Sequence, residues 1–315
     1  MKSPDLSAAF SPSPNPVRGV LGVLWLTFFL NLVLCLGKLI VGLAVNSLSM
    51  MADGFHSLMD AFANVVGLIS VFIASKPADE DHPYGHRKFE VLAALGIALF
   101  MGVSCVEILE SVYHRFHQVE SIPNPNPLAF GVMLVTMSIN AWLSWYEAKK
   151  GREFQSSVLA ADSAHTGSDT LASASVLAAL VGAKMGLAWV DLAASVLVVL
   201  IVARVAYRIV NQALQVLSDR IMVDPGKVAS VVKSVPGIIA CHKVRSRGMP
   251  GNVFVDLHIQ VSPRLTTLKS HALTHKVMAT VKEAIPGVTE VFVHTEPAKP
   301  EDYSKLALSR KPSRR

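Results

Sequence analysis

The chain has 315 residues, of which 51% are hydrophobic and 17% are charged, and its mean hydropathy is +0.44. Soluble domains carry about a quarter charged residues, so this composition excludes an ordinary soluble protein and indicates a membrane protein. The formal net charge of +6 does not indicate a nucleic-acid partner, because the basic residues concentrate at the ends of apolar segments and in the C-terminal run SRKPSRR.

The N-terminal segment contains the run SPSPNP, whose prolines fix φ and remove backbone hydrogen-bond donors. We therefore predict a disordered tail over residues 1–17. The first apolar run behind it is long enough to span a bilayer, so we interpret it as a retained helix and not as a secretory signal. Cys35, Cys105 and Cys241 are scattered without a CxxC pair, which indicates neither a disulfide framework nor a zinc ribbon.

Six apolar runs follow in chain order, each close to the roughly 20 residues that a helix needs to cross a hydrocarbon core. They predict an α-helical membrane protein with a six-helix transmembrane domain over residues 18–212. The predicted spans are 20–43, 47–74, 89–113, 128–148, 156–182 and 188–210. Lysine and arginine concentrate after the second, fourth and sixth spans, at Lys76, Arg87, Lys88, Lys149, Lys150, Arg152, Arg204 and Arg208. This bias predicts that both termini are cytoplasmic.

The second and fifth predicted spans carry the same polar pattern, ADGFHSLMD in one and ADSAHTGSD in the other. A charge at the centre of a span costs about 2.5–3.5 kcal/mol, so ionisable residues there indicate a functional site. Histidine and aspartate four residues apart share a helix face. If the two faces oppose each other, His56 with Asp60 and His165 with Asp169 supply four ligands.

Two imidazoles and two carboxylates suit tetrahedral coordination of a borderline divalent cation, with zinc favoured. The alternative is that each pair only bonds a neighbouring helix as a polar contact, and the repetition of the pattern favours the metal site. Asp53 and Asp162 lie three residues before the two histidines, near the same face. They could orient the histidines, line the cation entrance or cap the helix start, so we leave them out of the primary site.

After Asp224 the composition becomes that of a soluble α/β domain. The patterns predict a helix over 226–235, strands at CHKVRSRG and NVFVDLHIQV, a helix over 267–285 and a third strand at VTEVFVHTE. The chain order is therefore α-β-β-α-β. The boundaries that we predict are a linker over 213–223, the domain over 224–297 and a basic disordered tail over 298–315.

These features, together with KPADEDHPYGHRKFE after the second span, resemble the cation diffusion facilitators, a family of exporters of zinc and related metals. The resemblance covers residues 18–297. It implies six transmembrane helices followed by a small α/β cytoplasmic domain that is ferredoxin-like, or metallochaperone-like, and dimerises. It also implies that His56, Asp60, His165 and Asp169 form the transport site between helices 2 and 5.

The resemblance implies further ligands outside the membrane. In the loop after the second span, Asp79, His82 and His86 match a second metal site, for which a solvated charged turn is the alternative. Lys88 and Asp219 match a charge interlock at the dimer interface. The ligands implied for a two-metal site that bridges the dimer partners are His242, His258, His271, His294 and Glu296, with surface histidines on a small sheet as the alternative.

We therefore expect a homodimeric secondary active transporter in the lipid of the bacterial inner membrane, not an enzyme, that exports zinc in exchange for protons. Zinc is also expected as a structural or regulatory ligand of the soluble sites. Iron, cobalt, cadmium and manganese remain alternative cargoes. A membrane-anchored metal sensor and an intramembrane metalloenzyme are the alternatives from other classes. The enzyme is disfavoured because no HExxH occurs and both carboxylates would serve as ligands.

Overall fold

The computed structural model describes residues 16–44, 48–117, 127–184 and 189–298. Residues 1–15 of the predicted N-terminal tail and 299–315 of the predicted C-terminal tail lie outside the described residues. The described chain forms two compact units that divide between Leu214 and Gln215.

The first unit is built from long helices. Within the described ranges these are α1 (Pro16–Ala44), α2 (Leu48–Ala74), α3 (Lys88–His117), α4 (Pro127–Phe154), α5 (Ser157–Lys184) and α6 (Trp189–Leu217). Within these ranges, each of the six predicted apolar runs is therefore helical. Among the residues described, α1, α2, α3 and α6 are long and apolar enough to cross a membrane. The C-terminal end of α4 is highly charged and α5 carries the second polar pattern, so the count of six crossings remains a prediction.

The surface of the helical unit is strongly apolar. On α1 the side chains of Trp25, Phe29 and Ile40 are about half exposed or more, and α3 exposes Leu99 in the same way. Soluble monomers rarely expose contiguous apolar surface of this kind. In the hydrocarbon core of a bilayer, exposing such a surface costs no free energy, because lipid tails are as apolar as the side chains. The exposed side chains thus support an integral membrane protein.

The interior of the helical unit brings α2 and α5 into a shared bundle. Helix α1 packs on α2 and α4, while α5 packs on α3 and α4 and also contacts α2. Leu24, Leu68, Ile97 and Leu159 meet in one buried cluster that joins α1, α2, α3 and α5. Close to the polar pattern of α2, a Cβ on Gly54 would lie 2.9 Å from the Leu39 side chain. Only glycine therefore allows α1 to approach α2 this closely.

The second unit has the predicted order of elements. They are α7 (Pro225–Lys233), β1 (Ala240–Met249), β2 (Asn252–Val261), α8 (Thr267–Ala284) and β3 (Val288–Pro297). All five match the predicted elements to within about two residues. The sheet has the order β1-β2-β3, in which β1 and β2 are antiparallel and β2 and β3 are parallel. The predicted small α/β domain is thus confirmed as helices packed on a mixed sheet.

Strand alternation decides which face of this sheet is available to ligands. The odd-numbered residues of β2 from Val253 to Val261 are buried, and they pack against Val228 of α7 and Val277 of α8. Side chains at even-numbered positions must point to the opposite face. His258 lies at such a position, so the hydrophobic core fixes the orientation of this candidate ligand.

Candidate metal centres

The first group of candidate ligands lies between α2 and α5. His56 and Asp60 are one turn apart on α2, and His165 and Asp169 are one turn apart on α5. The structure places His165 Nε2 3.1 Å from Asp60 Oδ1 and His56 Nε2 3.9 Å from Asp169 Oδ1. Each contact joins a histidine of one helix to a carboxylate of the other, so the four residues form one cluster across the helix pair. We call it the membrane cluster.

The spacing of the ligand atoms suits a single divalent cation. His56, Asp60 and Asp169 each offer an atom, and these three atoms lie within 4.8 Å of one another. His165 joins them through its contact with Asp60. Around zinc, ligand atoms about 2.0–2.2 Å from the metal in tetrahedral geometry lie about 3.3–3.6 Å apart. Small side-chain movements would therefore close the cluster around an ion.

The two histidines of the membrane cluster differ in accessibility. The His56 side chain is 38% exposed, whereas that of His165 is 6% exposed. Within the described part of the chain, His165 Nδ1 is buried and has no hydrogen-bond partner. His165 Nε2 is therefore the nitrogen directed into the cluster, and His56 is the most exposed of the four residues.

A buried carboxylate that the sequence did not single out lies near the membrane cluster. Glu147 of α4 is fully buried, and it accepts hydrogen bonds from Thr27 Oγ1 at 2.7 Å and from Thr166 Oγ1 at 3.3 Å. Since Thr166 follows His165, this carboxylate joins α1 and α4 to the ligand-bearing segment of α5. In the sequence Glu147 precedes two lysines, where it is indistinguishable from an ordinary charged helix end.

Asp162 is also buried and bonds across helices. When the Asn64 amide nitrogen is turned toward it, that nitrogen lies 2.9 and 3.1 Å from the two Asp162 oxygens, and the Asn64 oxygen accepts from Asn31. Ser156 Oγ, and not Asp162, accepts from a first-turn N–H of α5. Of the three predicted roles, helix capping is therefore wrong for Asp162. The side chain of Asp53 lies outside the described side chains.

Lys38 places a buried amine next to the ligand-bearing turn of α2. Its Nζ donates to Ser57 Oγ at 2.9 Å, and Ser57 follows His56. Lysine inside an apolar helix could have been noticed in the sequence, but its alignment with Ser57 depends on how α1 and α2 pack. Lys38, Glu147 and Asp162 thus surround the ligands with polar groups from three helices.

The second group, which we call the loop cluster, lies between α2 and α3. His82 Nδ1 and His86 Nε2 each lie 3.4 Å from an oxygen of Asp79. The His82 backbone N–H donates to Asp79 Oδ1 at 2.7 Å and lowers the pKa of Asp79 below its usual value. Gly85 turns the chain with φ +80°, which returns His86 to Asp79.

The buried ring of His86 has a defined tautomer. Its Nδ1 lies 3.2 Å from the Pro77 carbonyl oxygen, which can only accept, so Nδ1 carries the proton. Nε2 faces Asp79, so it is the nitrogen that would bind a metal ion at this cluster. This orientation is compatible with a metal ligand, and the metal site and the solvated turn both remain open for the loop cluster.

The third group, the sheet cluster, crosses all three strands. His242, His258 and His294 occupy directly paired positions on β1, β2 and β3. Glu296 connects them: its carboxylate lies 2.7 Å from His258 Nδ1, 3.1 Å from His242 Nε2 and 3.9 Å from His294 Nε2. The hydrogen bond with His258 lowers the pKa of Glu296. The carboxylate is thus ionised at neutral pH and lies among three imidazoles.

The remaining predicted residues are placed differently. His271 lies on α8, where its Nε2 is 3.0 Å from Nε2 of His275 on the same helix. Lys88 is the first residue of α3, and Asp219 follows α6 with φ 55°. The charge interlock between Lys88 and Asp219 therefore stays a prediction.

Comparisons with known proteins agree with these observations. Residues 24–218 match the family model of the cation efflux transmembrane domain, and residues 223–298 match that of the cation efflux protein cytoplasmic domain. An uncharacterized transporter of Methanocaldococcus jannaschii is 31% identical over 270 residues, which cover 84% of this chain and 94% of that protein.

Two bacterial relatives have more specific names. The cation-efflux pump FieF of Shewanella oneidensis is 30% identical over 271 residues, covering 84% of this chain and 89% of its own length. The manganese efflux system protein MneS of Bacillus subtilis is 27% identical over 271 residues, covering 84% of this chain and 91% of its own length.

The Glu147 network can be tested by substitution of its threonine donor. Thr27→Val keeps the shape of the side chain but removes one of the two hydroxyl donors to the buried Glu147 carboxylate, so we expect a loss of stability of about 1–3 kcal/mol. Thr27→Ser keeps the hydroxyl and should lose less. The measurement is thermal unfolding of the detergent-solubilised protein, followed by tryptophan fluorescence. Equal melting temperatures for the Val and Ser variants would contradict the network.

The sheet cluster can be tested through its carboxylate. Glu296→Gln should reduce the amount of zinc bound by the full-length protein in equilibrium dialysis, because an amide oxygen is a much weaker zinc ligand than a carboxylate. Glu290→Gln makes the same change on an exposed position of the same strand and should leave zinc binding unchanged. Equal zinc binding by both variants would remove Glu296 from the ligands.

Proposed function

The chain belongs to the cation efflux family, and we propose that this divalent metal transporter exports zinc from the cytoplasm through the membrane cluster. The observation that carries the proposal is the pair of reciprocal contacts across the helices, His165 with Asp60 at 3.1 Å and His56 with Asp169 at 3.9 Å. Membership of a transporter family argues against the metalloenzyme alternative.

The donor set supports zinc as the cargo. Two imidazole nitrogens and two carboxylate oxygens match a borderline cation, whereas all-oxygen sites suit harder ions such as manganese. The Bacillus subtilis relative is named for manganese, so membership of the family does not by itself select the metal. The choice of zinc depends on His56 and His165.

Exchange for protons follows from the chemistry of the two contacts. Without metal, a histidine N–H can donate to the aspartate facing it, as the 3.1 Å contact of His165 with Asp60 allows. A metal ion takes the lone pair of the same nitrogen, so binding requires that the proton leave. Protonation from the far side of the membrane returns the N–H and displaces the metal. The contact of His165 with Asp60 thus exchanges one proton for two metal–ligand bonds.

We further propose that the transporter is a homodimer in the bacterial inner membrane with both termini cytoplasmic. The exposed apolar side chains of the helices support contact with lipid, and the basic connections support the orientation. On the exposed face of β3, Phe292 is 67% exposed beside His294. A second copy covering this sheet face would bury Phe292 and complete the coordination at the sheet cluster.

The cytoplasmic clusters extend this proposal to regulation. Zinc bound at the loop and sheet clusters would stabilise the folded, paired state, because a ligand that binds only the native form adds stability by mass action. Zinc is therefore a structural or regulatory ligand there and the cargo at the membrane cluster.

Transport in proteoliposomes tests the cargo and its site. We expect zinc flux to follow an imposed pH gradient and to fall by at least about tenfold in Asp60→Asn and Asp169→Asn, since even outer-shell substitutions cost about 10–100-fold in metal affinity. Glu110→Gln removes an exposed carboxylate of α3 and serves as the matched control. A purely sensory protein would bind zinc but show no flux.

The outcomes of this experiment separate the two parts of the proposal. Zinc flux that persists in both aspartate variants would exclude the membrane cluster as the transport site. Flux that depends on the cluster but ignores the pH gradient would leave the site standing and remove proton exchange.

Metal preference can be tested at the most accessible ligand. His56→Asp converts the cluster to one imidazole and three carboxylates, which should shift the ratio of zinc to manganese transport toward manganese by about tenfold, or 1.4 kcal/mol. His56→Asn replaces the imidazole by a neutral amide oxygen, so it should lower both rates and shift the ratio toward manganese less than His56→Asp does. Competition between the two metals gives the ratio, and an unchanged ratio in His56→Asp would contradict the donor-set argument.

A further inference from the structure

Two histidines on α8 make a contact that none of the three clusters uses. His271 and His275 lie one turn apart, with their Nε2 atoms 3.0 Å apart and their ring centroids 4.5 Å apart. Both side chains are exposed. The family resemblance places His271 among the sheet ligands and gives no role to His275.

The packing of α8 explains why the two rings face solvent together. Leu273, Val277 and Val281 follow at four-residue spacing and pack on the sheet. Each histidine lies two residues before one of these apolar residues, and two residues correspond to a rotation of about 200° around the helix axis. The hydrophobic core therefore anchors one face of α8 and presents His271 and His275 on another, where their spacing is fixed by the helix.

The separation of the two nitrogens suits a shared cation. Two nitrogens that each lie about 2.0–2.1 Å from zinc in tetrahedral geometry are about 3.3–3.4 Å apart, which is close to the observed 3.0 Å. Without metal, one Nε2–H can donate to the other Nε2. A cation would take both lone pairs, and the proton between the rings would pass to solvent.

Space for further ligands is present beside His271. This residue lines an open cleft of about 460 Å³, together with Ser270, Thr274 and Glu296. A cleft of this size holds several water molecules. Water can therefore supply the remaining positions around a cation held by two imidazoles.

We propose that His271 and His275 form a metal site of their own, a two-imidazole chelate for a borderline divalent cation such as zinc, cobalt or nickel. Histidines at i and i+4 on one helix face are a recurrent zinc-binding pair. The site is separate from the membrane cluster, so it goes beyond the proposed function and does not depend on which ion is transported.

The test measures protection of individual histidines in the full-length protein in detergent. Zinc is titrated, exposed imidazoles are acylated with diethylpyrocarbonate, and the modification of each histidine is determined by mass spectrometry. In the wild type we expect zinc to protect His271 and His275 over the same concentration range. His275→Ala should raise the zinc concentration that protects His271 by about a hundredfold, because linking two ligands raises affinity by about 10²–10⁴.

A second variant separates this site from the sheet cluster. Glu296→Gln should leave the protection of His271 unchanged. If Glu296→Gln abolishes that protection while His275→Ala does not, His271 is a ligand of the sheet cluster and the proposal is overturned.

Two double variants with a constant number of histidines control for local changes of the helix. Ala279 is exposed on α8, one turn beyond His275. His275→Ala with Ala279→His leaves two histidines eight residues and about 12 Å apart, too far to chelate, and should leave His271 unprotected. His271→Ala with Ala279→His restores four-residue spacing and should protect His275 in the wild-type range. Absence of protection in this restored pair would also overturn the proposal.

Discussion

The contacts between histidine and aspartate across α2 and α5 are the constraint around which the helical unit is organised. An aspartate or histidine in an apolar helix is costly unless a partner is provided, and each helix supplies the partner that the other needs. His165 with Asp60 and His56 with Asp169 satisfy this requirement reciprocally. The same arrangement leaves lone pairs directed into one space. The mutual pairing of these polar groups and the proposed affinity for metal thus depend on the same four side chains.

The buried polar groups around this cluster also have partners on other helices. Glu147 is fully buried, and it is tolerated because Thr27 and Thr166 donate to it from two other helices. Lys38 is buried against Ser57. Buried polar networks of this kind are stable only when their members are satisfied. They also join α1 and α4 to the ligand-bearing segments of α2 and α5.

In the loop cluster and the sheet cluster, the carboxylate already accepts a hydrogen bond from a backbone N–H or from an imidazole. Asp79 accepts the backbone N–H of His82, and Glu296 accepts a hydrogen bond from His258. In both cases the donor lowers the pKa of the carboxyl group, so no proton competes with a cation for it near neutral pH. The pair of histidines on α8 includes no carboxylate. It differs from these clusters because its two imidazoles are both exposed and lie one turn apart on a single helix. The protein thus combines a candidate cargo site within apolar helices with candidate metal sites in the loop after α2, on the sheet and on α8.

By itself, the sequence determined the helices, the strands and the candidate ligands within each element, because hydrophobic period and residue spacing are local properties. The repeated His-Asp pairs and the alternation of β2 are examples. Only the tertiary structure decided which elements meet. It paired His165 with Asp60, buried Glu147 although it precedes two lysines, and excluded Asp162 from the helix cap. It also placed His271 beside His275, whose side-chain contact depends on rotamers that spacing alone does not fix. Contacts between distant segments depend on packing of whole faces, and one local pattern is compatible with several such packings.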